Sequence, residues 1–270
     1  MAHDNVEIAE GVDHQVAMVM DLNKCIGCQT CTVACKTLWT DREGADYMYW
    51  NNVETRPGKG YPRDWEEKGG GWASAERTER STGEIPDSED YGDAWEFDHE
   101  GILKEGADKK LAPEGGKPEW GPNWDEDQGA GEHPNSYHFY LPRICNHCTH
   151  PTCVEACPRQ AVYKREEDGV VLVDQDRCRG YRYCVEGCPY KKIYYNAVSK
   201  NSEKCVFCYP RIEGEGPDDE IHPPACADQC VTQLRLVGYL DDTDGPIYKL
   251  VEQYEVALPL HPEYQTTPNV

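Results

Sequence analysis

The chain has 270 residues, of which 38% are hydrophobic, and it contains 15 cysteines. This apolar supply suits one or two compact domains, and cysteines at this frequency call for disulfides or metal centres. The net charge of −23 excludes a nucleic-acid-binding protein, because contacts with phosphates need a basic surface. The acidic residues are spread along the chain, which predicts a solvated surface adapted to high salt, that is, a halophilic protein.

The sequence predicts a protein without a membrane span of its own. No apolar run approaches the roughly 20 residues that a membrane-spanning helix needs. The first arginine is Arg42, and the acidic, polar opening segment carries no twin-arginine or other signal sequence. We therefore expect export only as folded cargo, bound to a partner that carries such a signal.

Short strands are predicted before and after the cysteine motifs. Residues 15–21, QVAMVMD, are typical of a strand that leads into the first cysteine run, CIGCQTCTVAC at 25–35. The segments GVVLVD at 169–174 and LRLVGYL at 234–240 predict two more strands, the first of them buried. Residues 246–270 form a C-terminal tail in which no motif is recognised.

A cysteine-free stretch from 36 to 144 follows the first run. Its high content of Gly, Pro, Asp and Glu favours disorder. It nevertheless contains all seven tryptophans of the protein, which are Trp39, Trp50, Trp65, Trp72, Trp95, Trp120 and Trp124. Because disordered segments are poor in aromatic residues, we predict an ordered, loop-rich insertion. The tryptophans either form an interface with a partner or pack the insertion against its own domain.

Three further groups of cysteines follow: CNHCTHPTCVEACP at 145–158, CRGYRYCVEGCP at 178–189, and CVFC at 205–208 with CADQC at 226–230. The run at 178–189 repeats the spacing of the first run. The equivalent positions are Cys25 and Cys178, Cys28 and Tyr181, Cys31 and Cys184, and Cys35 and Cys188. Tyr181 is therefore the counterpart of Cys28, which indicates a duplicated motif that has lost one ligand.

The spacing of the cysteines favours iron–sulfur clusters. Cysteines three apart on a tight loop direct their sulfurs to one cluster, and a final Cys-Pro, as at Cys157 and Cys188, is typical of a ligand to a neighbouring cluster. Zinc sites use separate pairs, and disulfide geometry opposes bridges between such close cysteines. Fifteen thiolates divide into three sets of four and one of three, which predicts three 4Fe–4S clusters and one 3Fe–4S cluster.

Three side chains beside the cysteines can each be interpreted in two ways. Tyr181 indicates either a missing corner iron or an aromatic cover over a 4Fe–4S cluster with water at its open corner. His147 and His150 are either ligands or packing and hydrogen-bonding groups, and the cysteines already fill the ligand positions.

Residues 145–211 contain 11 basic and 8 acidic residues, and we expect these cations to stabilise anionic clusters.

The segment LPRICNHC…KKIYYN at 141–196, together with SEKCVFCYPRIEG at 202–214, resembles the iron–sulfur beta subunit of respiratory nitrate reductase. It also resembles the beta subunits of selenate, chlorate and perchlorate reductases and of ethylbenzene and dimethyl sulfide dehydrogenases. The insertion contributes YWNNVETRPGKGYPRDWE and EWGPNWDED, and the resemblance extends over about 15–245. In the bacterial nitrate enzyme the position of Tyr181 is usually Trp, also beside a 3Fe–4S cluster.

The resemblance implies which cysteines share a cluster. The first ligand set is Cys25, Cys28, Cys31 and Cys230, the second is Cys35, Cys205, Cys208 and Cys226, the third is Cys145, Cys148, Cys153 and Cys188, and the fourth, which holds 3Fe–4S beside the non-ligand Tyr181, is Cys157, Cys178 and Cys184. The implied fold is α+β, with two ferredoxin-like modules that hold two clusters each. One module is formed by 1–35 together with 196–245, and the other by 145–195. The insertion 36–144 is the implied partner interface, and 246–270 is the tail.

The resemblance also implies an electron-transfer subunit that is not an enzyme by itself. Electrons would pass from a haem b membrane-anchor or gamma subunit, on the quinol side, to a molybdopterin catalytic alpha subunit. In dehydrogenase relatives the substrate differs and the direction is reversed. The cysteine pattern by itself also leaves open a free polyferredoxin, without a fixed partner, and a zinc-structured scaffold without a redox role. We expect a peripheral membrane-associated protein, extracytoplasmic if its partner carries a twin-arginine signal.

Overall fold

The computed structural model describes residues 7–58, 70–72, 80–82, 137–214 and 222–270. Two compact units divide the chain, one formed by Met1–Val53 with Pro142–Val270 and the other by Glu54–Leu141. All fifteen cysteines belong to the first unit, and none of them forms a disulfide. The candidate metal centres are therefore confined to the first unit.

The described strands pair two by two. They are β1 Val16–Met20, β2 Asn52–Gly58, β3 Gly70–Trp72, β4 Arg80–Thr82, β5 Tyr137–Arg143, β6 Val162–Lys164, β7 Val171–Val173, β8 Ile193–Asn196, β9 Asn201–Lys204 and β10 Arg235–Tyr239. The pairs are β1–β10, β2–β5, β3–β4, β6–β7 and β8–β9. The strands predicted within 15–21, 169–174 and 234–240 are confirmed as β1, β7 and β10.

The helices of the described residues are equally short. The α-helices are α1 Thr30–Cys35, α2 Thr152–Glu155, α3 Tyr183–Gly187, α4 Tyr209–Ile212, α5 Ala225–Asp228 and α6 Pro246–Tyr248. Single 3₁₀ turns span Leu22–Lys24 and Pro262–Tyr264, and π-type turns span Lys36–Thr40 and Lys249–Gln253. Two-stranded sheets and helices of one or two turns are marginal by themselves. Such a unit gains from metal centres that tie its segments together.

The antiparallel sheet of β1 and β10 brings the two ends of the cysteine pattern together. Val16 pairs with Tyr239 and Met20 pairs with Arg235. Val16 and Met18 are buried in a core group that also contains Cys31. Because β1 runs into the first cysteine run and β10 follows the last cysteine, this sheet brings the two segments close to each other.

The hairpins β6–β7 and β8–β9 connect the middle and last cysteine runs. In the first, Val162 pairs with Val173 and Lys164 with Val171. In the second, Ile193 pairs with Lys204, so β9 ends directly before the CVFC pair. Both hairpins turn the chain back towards a preceding run, which gathers distant cysteines into one unit.

The last residues of the tail pack over the second cysteine run. The Asn269 amide N–H donates to the Asn146 carbonyl at 2.9 Å, and its side-chain Nδ2 donates to the His147 carbonyl at 2.8 Å. The Thr149 N–H donates to the Thr267 carbonyl at 2.8 Å. The tail, in which the sequence shows no motif, is therefore part of the support for a ligand loop.

The insertion is described only in part. Trp39 and Trp50 stack at 6.4 Å between ring centroids, and Trp50 is buried in a core group with Cys35. Both tryptophans pack within the first unit, and Trp72 lies in β3 of the second unit. The other tryptophans fall outside the described residues: Trp65, Trp95, Trp120 and Trp124. The insertion's role as a partner interface stays a prediction.

Candidate metal centres

The first loop of every cysteine run has the same backbone feature. Two positions after the first cysteine, each run has a residue with positive φ: Gly27 at 67°, His147 at 44°, Gly180 at 65° and Phe207 at 53°. A left-handed residue in such a turn directs successive amide N–H groups to one concave side, a geometry that suits anions and iron–sulfur sites. The Phe207 N–H, for example, lies 3.4 Å from the Cys205 Sγ atom. The four runs are thus built as anion-binding loops.

The first ligand set lies partly at the surface, with Cys28 exposed, Cys25 and Cys230 half-buried and Cys31 buried. The Thr30 hydroxyl donates to the exposed Cys28 Sγ at 3.3 Å and lowers the pKa of that thiol. Cys230 is close enough to Cys28 to affect its ionisation, and Cys31 and Cys28 similarly affect Cys25. These mutual effects place the four thiols of this set together.

The second ligand set surrounds a cavity, which all four of its thiols line together with Trp39, Trp50 and Asn51. The Trp39 indole N–H donates to the Cys208 Sγ at 3.1 Å. Burial raises the pKa of Cys35 to about 12 and that of Cys226 to about 11. The neighbouring Cys31 of the first set also raises the pKa of Cys226, which places the two sets side by side.

The third ligand set surrounds another cavity, again lined by all four of its thiols. Burial raises the pKa of Cys148 to about 12, and Cys153 is shifted in the same direction by the same cause. Buried thiols of this kind are protonated without metal, so metal binding would release protons and draw on the folding energy. The second and third sets are thus interior sites whose four thiols converge.

The two histidines beside the third set differ. His147 is fully buried and lines the cavity, where its Nδ1 accepts the Val171 N–H at 3.1 Å. Burial, with Lys204 and Lys164 nearby, lowers the pKa of His147 far enough to keep the ring neutral. His150 is at the surface, with its Nε2 2.8 Å from a Glu7 carboxylate oxygen. Only His147 is placed to act on a bound group.

The fourth ligand set gathers around β9. The Ser202 N–H lies 3.4 Å from the Cys178 Sγ, and the Ser202 hydroxyl lies 3.4 Å from the Cys184 Sγ. Burial raises the pKa of Cys184, and the nearby Cys157 and Cys178 add to the effect. The Ala161 N–H donates to the Cys157 Sγ at 3.2 Å. Three thiols therefore converge here, where each of the other sets has four.

Tyr181 stands beside the fourth set on the outer side of its loop. The ring is 57% exposed and stacks on Tyr183, with 6.5 Å between centroids. The loop around it matches the first run, because Arg182 begins α3 with φ 65° where Gln29 begins α1 with φ 60°. The backbone of the repeat is therefore kept at the position where the thiol is replaced.

The ligand sets follow one another in a single series. Cys31 of the first set and Cys226 of the second share one buried core group. Cys205 of the second set and Cys145 of the third share another, so the second and third sets adjoin. Cys188 of the third set and Cys184 of the fourth share one buried core group. The series is therefore first, second, third and fourth.

Three cations accompany this series, of which Arg235 and Lys204 are buried and Lys164 is half-buried. The Arg235 guanidinium donates to the Cys31 Sγ at 3.4 Å, and the Lys204 ammonium donates to the Val171 carbonyl. Lys164 donates to the Cys148 carbonyl at 3.1 Å, and burial lowers its pKa to about 8. Among the described residues, none of these three cations forms an ion pair with a carboxylate. Buried cations need a counter-charge, and an anionic group held by the thiols would supply it.

Unpaired N–H groups also fit anionic clusters. Trp50 and Asn51 line the second-set cavity, and His147 lines the third-set cavity. Trp50 Nε1, Asn51 Nδ2 and His147 Nε2 are buried without a hydrogen-bond partner in the described parts of the chain. Buried donors are rarely left unpaired, so a missing acceptor is expected in each cavity.

Comparison with known proteins gives the same chemistry. A family model for a 4Fe-4S dicluster domain matches residues 136–240, and a model for a 4Fe-4S binding domain matches residues 16–37. The chain is 76% identical to the respiratory nitrate reductase subunit beta of Haloferax mediterranei, over 99% of this chain and 76% of that protein. The chain belongs to this family of beta subunits. It is also 59% identical to the dimethylsulfide dehydrogenase subunit beta of Rhodovulum sulfidophilum, over 96% of this chain and 77% of the relative.

The family extends to more distant beta subunits. Identity to the respiratory nitrate reductase 1 beta chain of Escherichia coli is 36%, over 95% of this chain and 68% of that protein. The resemblance stated from the sequence is thus confirmed, and so is the role as an electron-transfer subunit of a molybdoenzyme complex. The haloarchaeal relative also agrees with the acidic, halophilic composition. In the described part of this beta subunit, no helix has both the length and the apolarity to cross a membrane.

Several residues around the ligand sets were not singled out from the sequence. Arg235 and Asn51 are buried beside the thiols, and Ser202 contacts two of them. The one signal for Arg235 in the sequence is a cation at the start of a strand, five positions after Cys230. The basic segment did predict cations near the sites, and Lys164 and Lys204 lie there in this beta subunit.

Proposed function

We propose that this beta subunit holds three 4Fe–4S clusters on the first, second and third ligand sets and one 3Fe–4S cluster on the fourth. The carrying observation is that the second and third sets each line one cavity with unpaired buried N–H donors. Each cavity is lined by four cysteines and by at least one residue that carries an unpaired buried N–H. When bound, such clusters accept and release single electrons.

The ligand series supports an arrangement in two ferredoxin-like modules. One module uses the first and last cysteine runs and holds the first and second sets, while the other uses the two middle runs. Exchange of the final cysteine of each run between neighbouring sets, as at Cys35 and Cys188, is the pattern of two-cluster ferredoxins. The protein's residues act by holding the thiolates in order, by excluding water and by providing N–H donors and cations beside them.

Electrons would traverse the series from the fourth set to the first. The fourth set lies at the end of the series that would face a haem b membrane-anchor or gamma subunit on the quinol side. The first set, with Cys28 exposed at the other end, would face the molybdopterin catalytic alpha subunit. The interior sets are shielded from solvent by Phe207, Trp50 and Tyr190, which limits loss of electrons to water-borne acceptors.

Nitrate is the substrate that we propose for the complex. The supporting observation is the 76% identity to the nitrate reductase subunit of Haloferax mediterranei, against 59% for the selenate reductase subunit of Thauera selenatis and 60% for the chlorate reductase subunit of Ideonella dechloratans. A dehydrogenase with reversed electron flow is the second candidate, favoured by the similarity to the dimethylsulfide dehydrogenase subunit.

We also propose that the complex is attached to the membrane through the membrane-anchor subunit and that the beta subunit is peripheral. It would lie on the extracytoplasmic side if the catalytic partner carries a twin-arginine signal.

The insertion 36–144 is the proposed interface with the catalytic subunit. Deletion of 60–125 should release the beta subunit from the complex without loss of iron. A deletion variant that co-purifies with the catalytic subunit at full yield would contradict the interface.

The function is tested on the native complex, purified from membranes in high salt. We expect about fifteen iron atoms per beta subunit, and quinol-dependent reduction of nitrate that is faster than that of selenate or chlorate. Full iron content with preferred oxidation of an organic donor would favour the dehydrogenase instead. Iron close to zero, or a beta subunit that purifies alone from native membranes, would contradict the proposed role.

A further inference from the structure

Arg235 is an unusual buried cation between two ligand sets. It is 5% exposed and begins β10, where it pairs with Met20 of β1. One guanidinium nitrogen, Nη2, lies 3.4 Å from the Cys31 Sγ and 2.9 Å from the Asn51 Oδ1, and the other, Nη1, lies 3.7 Å from the Met18 Sδ. Its Nε–H has no hydrogen-bond partner among the described residues. A buried arginine needs an anionic partner, and none of these contacts is with a carboxylate.

The absence of a carboxylate partner within the described residues matters because acids are abundant. The chain has 50 acidic and 27 basic residues, and other arginines use them: Arg42 lies 2.6 Å from Glu203 and Arg211 lies 3.1 Å from Asp228. Arg235 instead contacts a thiol, a thioether and an amide. A buried, unpaired guanidinium is strongly destabilising unless anions lie nearby. The anions within reach are the thiolates.

Thiols from two ligand sets surround Arg235. Cys31 of the first set accepts its hydrogen bond, and the guanidinium also acts electrostatically on Cys230 of the same set. Cys226 of the second set lies in the same buried core group as Cys31 and Met18, both of which Arg235 contacts. The Arg235 charge is therefore shared between neighbouring sites.

Asn51 fixes the guanidinium and reaches the second site. Its Oδ1 accepts from Arg235, while its Nδ2, which has no partner among the described residues, lines the second-set cavity. Asn51 is 1% exposed, so this geometry is held by packing. The pair Arg235–Asn51 thus connects the thiols of the first set with the cavity of the second.

We propose that Arg235 is a positioning residue that sets the reduction potentials of the first and second clusters together. This inference rests on the proposed presence of both clusters. A fixed positive charge favours the more negative, reduced state, and a hydrogen bond to a ligand sulfur acts in the same direction. One side chain therefore raises both potentials and keeps them matched at the end of the series that would face the catalytic subunit.

The test uses the purified native complex, with potentiometric titration followed by EPR for each cluster and with iron analysis. In Arg235→Gln, the reduction equilibria of the first and second clusters should shift at least tenfold towards the oxidised state, which is about 59 mV for one electron. The third and fourth clusters should keep their potentials. In Arg235→Lys the same two potentials should fall by less than half as much as in Arg235→Gln. The positive charge remains in this variant, while the fork-shaped contact to Cys31 and Asn51 is lost.

A second variant guards against poor folding. In Asn51→Asp the arginine stays and a carboxylate of nearly the same shape neutralises it, so the same two potentials should fall. Arg42→Gln removes an arginine that is half exposed and already paired, and it should leave all four potentials unchanged.

Distinct outcomes separate this inference from the proposed function. Full iron content with unchanged first and second potentials in Arg235→Gln and Asn51→Asp would overturn the role of Arg235 and leave the four-cluster function intact. If Arg235→Gln loses iron, its potentials cannot be interpreted, and the variants Asn51→Asp and Arg235→Lys test the role of Arg235 instead. Unchanged first and second potentials in both of these variants would also overturn that role. A wild-type complex that lacks the first or second cluster would overturn the proposed function itself.

Discussion

The loops at 25–30 and 178–183 share two left-handed backbone positions and differ in one ligand. Each has a glycine of positive φ two positions after its first cysteine, Gly27 and Gly180, and each starts its helix from a left-handed residue. The first loop then presents an exposed thiol at Cys28, whereas the second presents the exposed ring of Tyr181. The two loops thus share their left-handed turns and differ in the number of thiolates.

The comparison teaches that shape and ligand number are specified separately. The left-handed positions create the concave loop, and they do so whether the next residue is cysteine or tyrosine. The side chain at that next position then decides whether the loop offers a fourth thiolate. The proposed change of cluster type would therefore need no new fold, and one duplicated motif could supply two different sites.

Removal of a thiolate from an interior set should have the largest effect. Cys205→Ala takes a ligand from the second set, so about four of about fifteen iron atoms should be lost. Lys204 would be left buried without a counter-charge, which should lower the unfolding free energy by about 3–5 kcal/mol. Iron analysis and thermal unfolding measure both effects, with Val198→Ala as an exposed control. Full iron and an unchanged melting temperature would refute the assignment of this ligand.

An exchange within the first loop tests the comparison in the reverse direction. Cys28→Tyr copies the fourth site into the first, so the first cluster should lose one iron and become 3Fe–4S. The oxidised-state EPR signal should then rise from about one to about two spins per chain. Loss of all four irons without added signal would show that the loop shape alone does not sustain a three-iron site.

A change of backbone should have a smaller effect that is separate from ligand number. In Gly180→Ala the new Cβ would clash with the Lys200 carbonyl oxygen at φ 65°, and the left-handed conformation alone costs about 1–3 kcal/mol. We expect a lower melting temperature with the type of the fourth cluster unchanged. Gly11→Ala, where φ is 80° but no atom lies within 4 Å, is the matched control. Equal melting temperatures for the two variants would be inconsistent with a tight fit at Gly180.

The smallest effect concerns the sheet that supports the first loop. His14, just before β1, lies 2.5 Å from Asp241, just after β10, and this hydrogen bond raises the pKa of His14. A raised histidine pKa stabilises the fold fully below the unfolded value of about 6.5 and loses that contribution as pH rises through the folded value. Wild type should therefore melt slightly above His14→Asn at about pH 5.5 and together with it at about pH 8.5. A difference that grows with pH would contradict this interpretation.

The sequence predicted the parts of the molecule that depend on local pattern. Strands β1, β7 and β10 and the repeat of the two loops were visible as apolar runs and as cysteine spacing. Arg235, Asn51 and Ser202 were not, because they approach the thiols from segments far away in sequence. The packing of Asn269 over the second run was equally invisible, since it depends on backbone hydrogen bonds that leave no residue pattern. Long-range placement is thus the part that required the structure.

We predict that Tyr181 marks a different site rather than a damaged one, and EPR of the oxidised native complex tests this most directly. We predict one 3Fe–4S signal per beta subunit in the wild type. We also predict that this signal disappears in Tyr181→Cys as a fourth iron binds, with quinol-driven turnover reduced and turnover with a strong artificial donor retained, because an added thiolate lowers the cluster potential. A wild-type complex without this signal, with four irons at every site, would show that Tyr181 only covers a 4Fe–4S cluster.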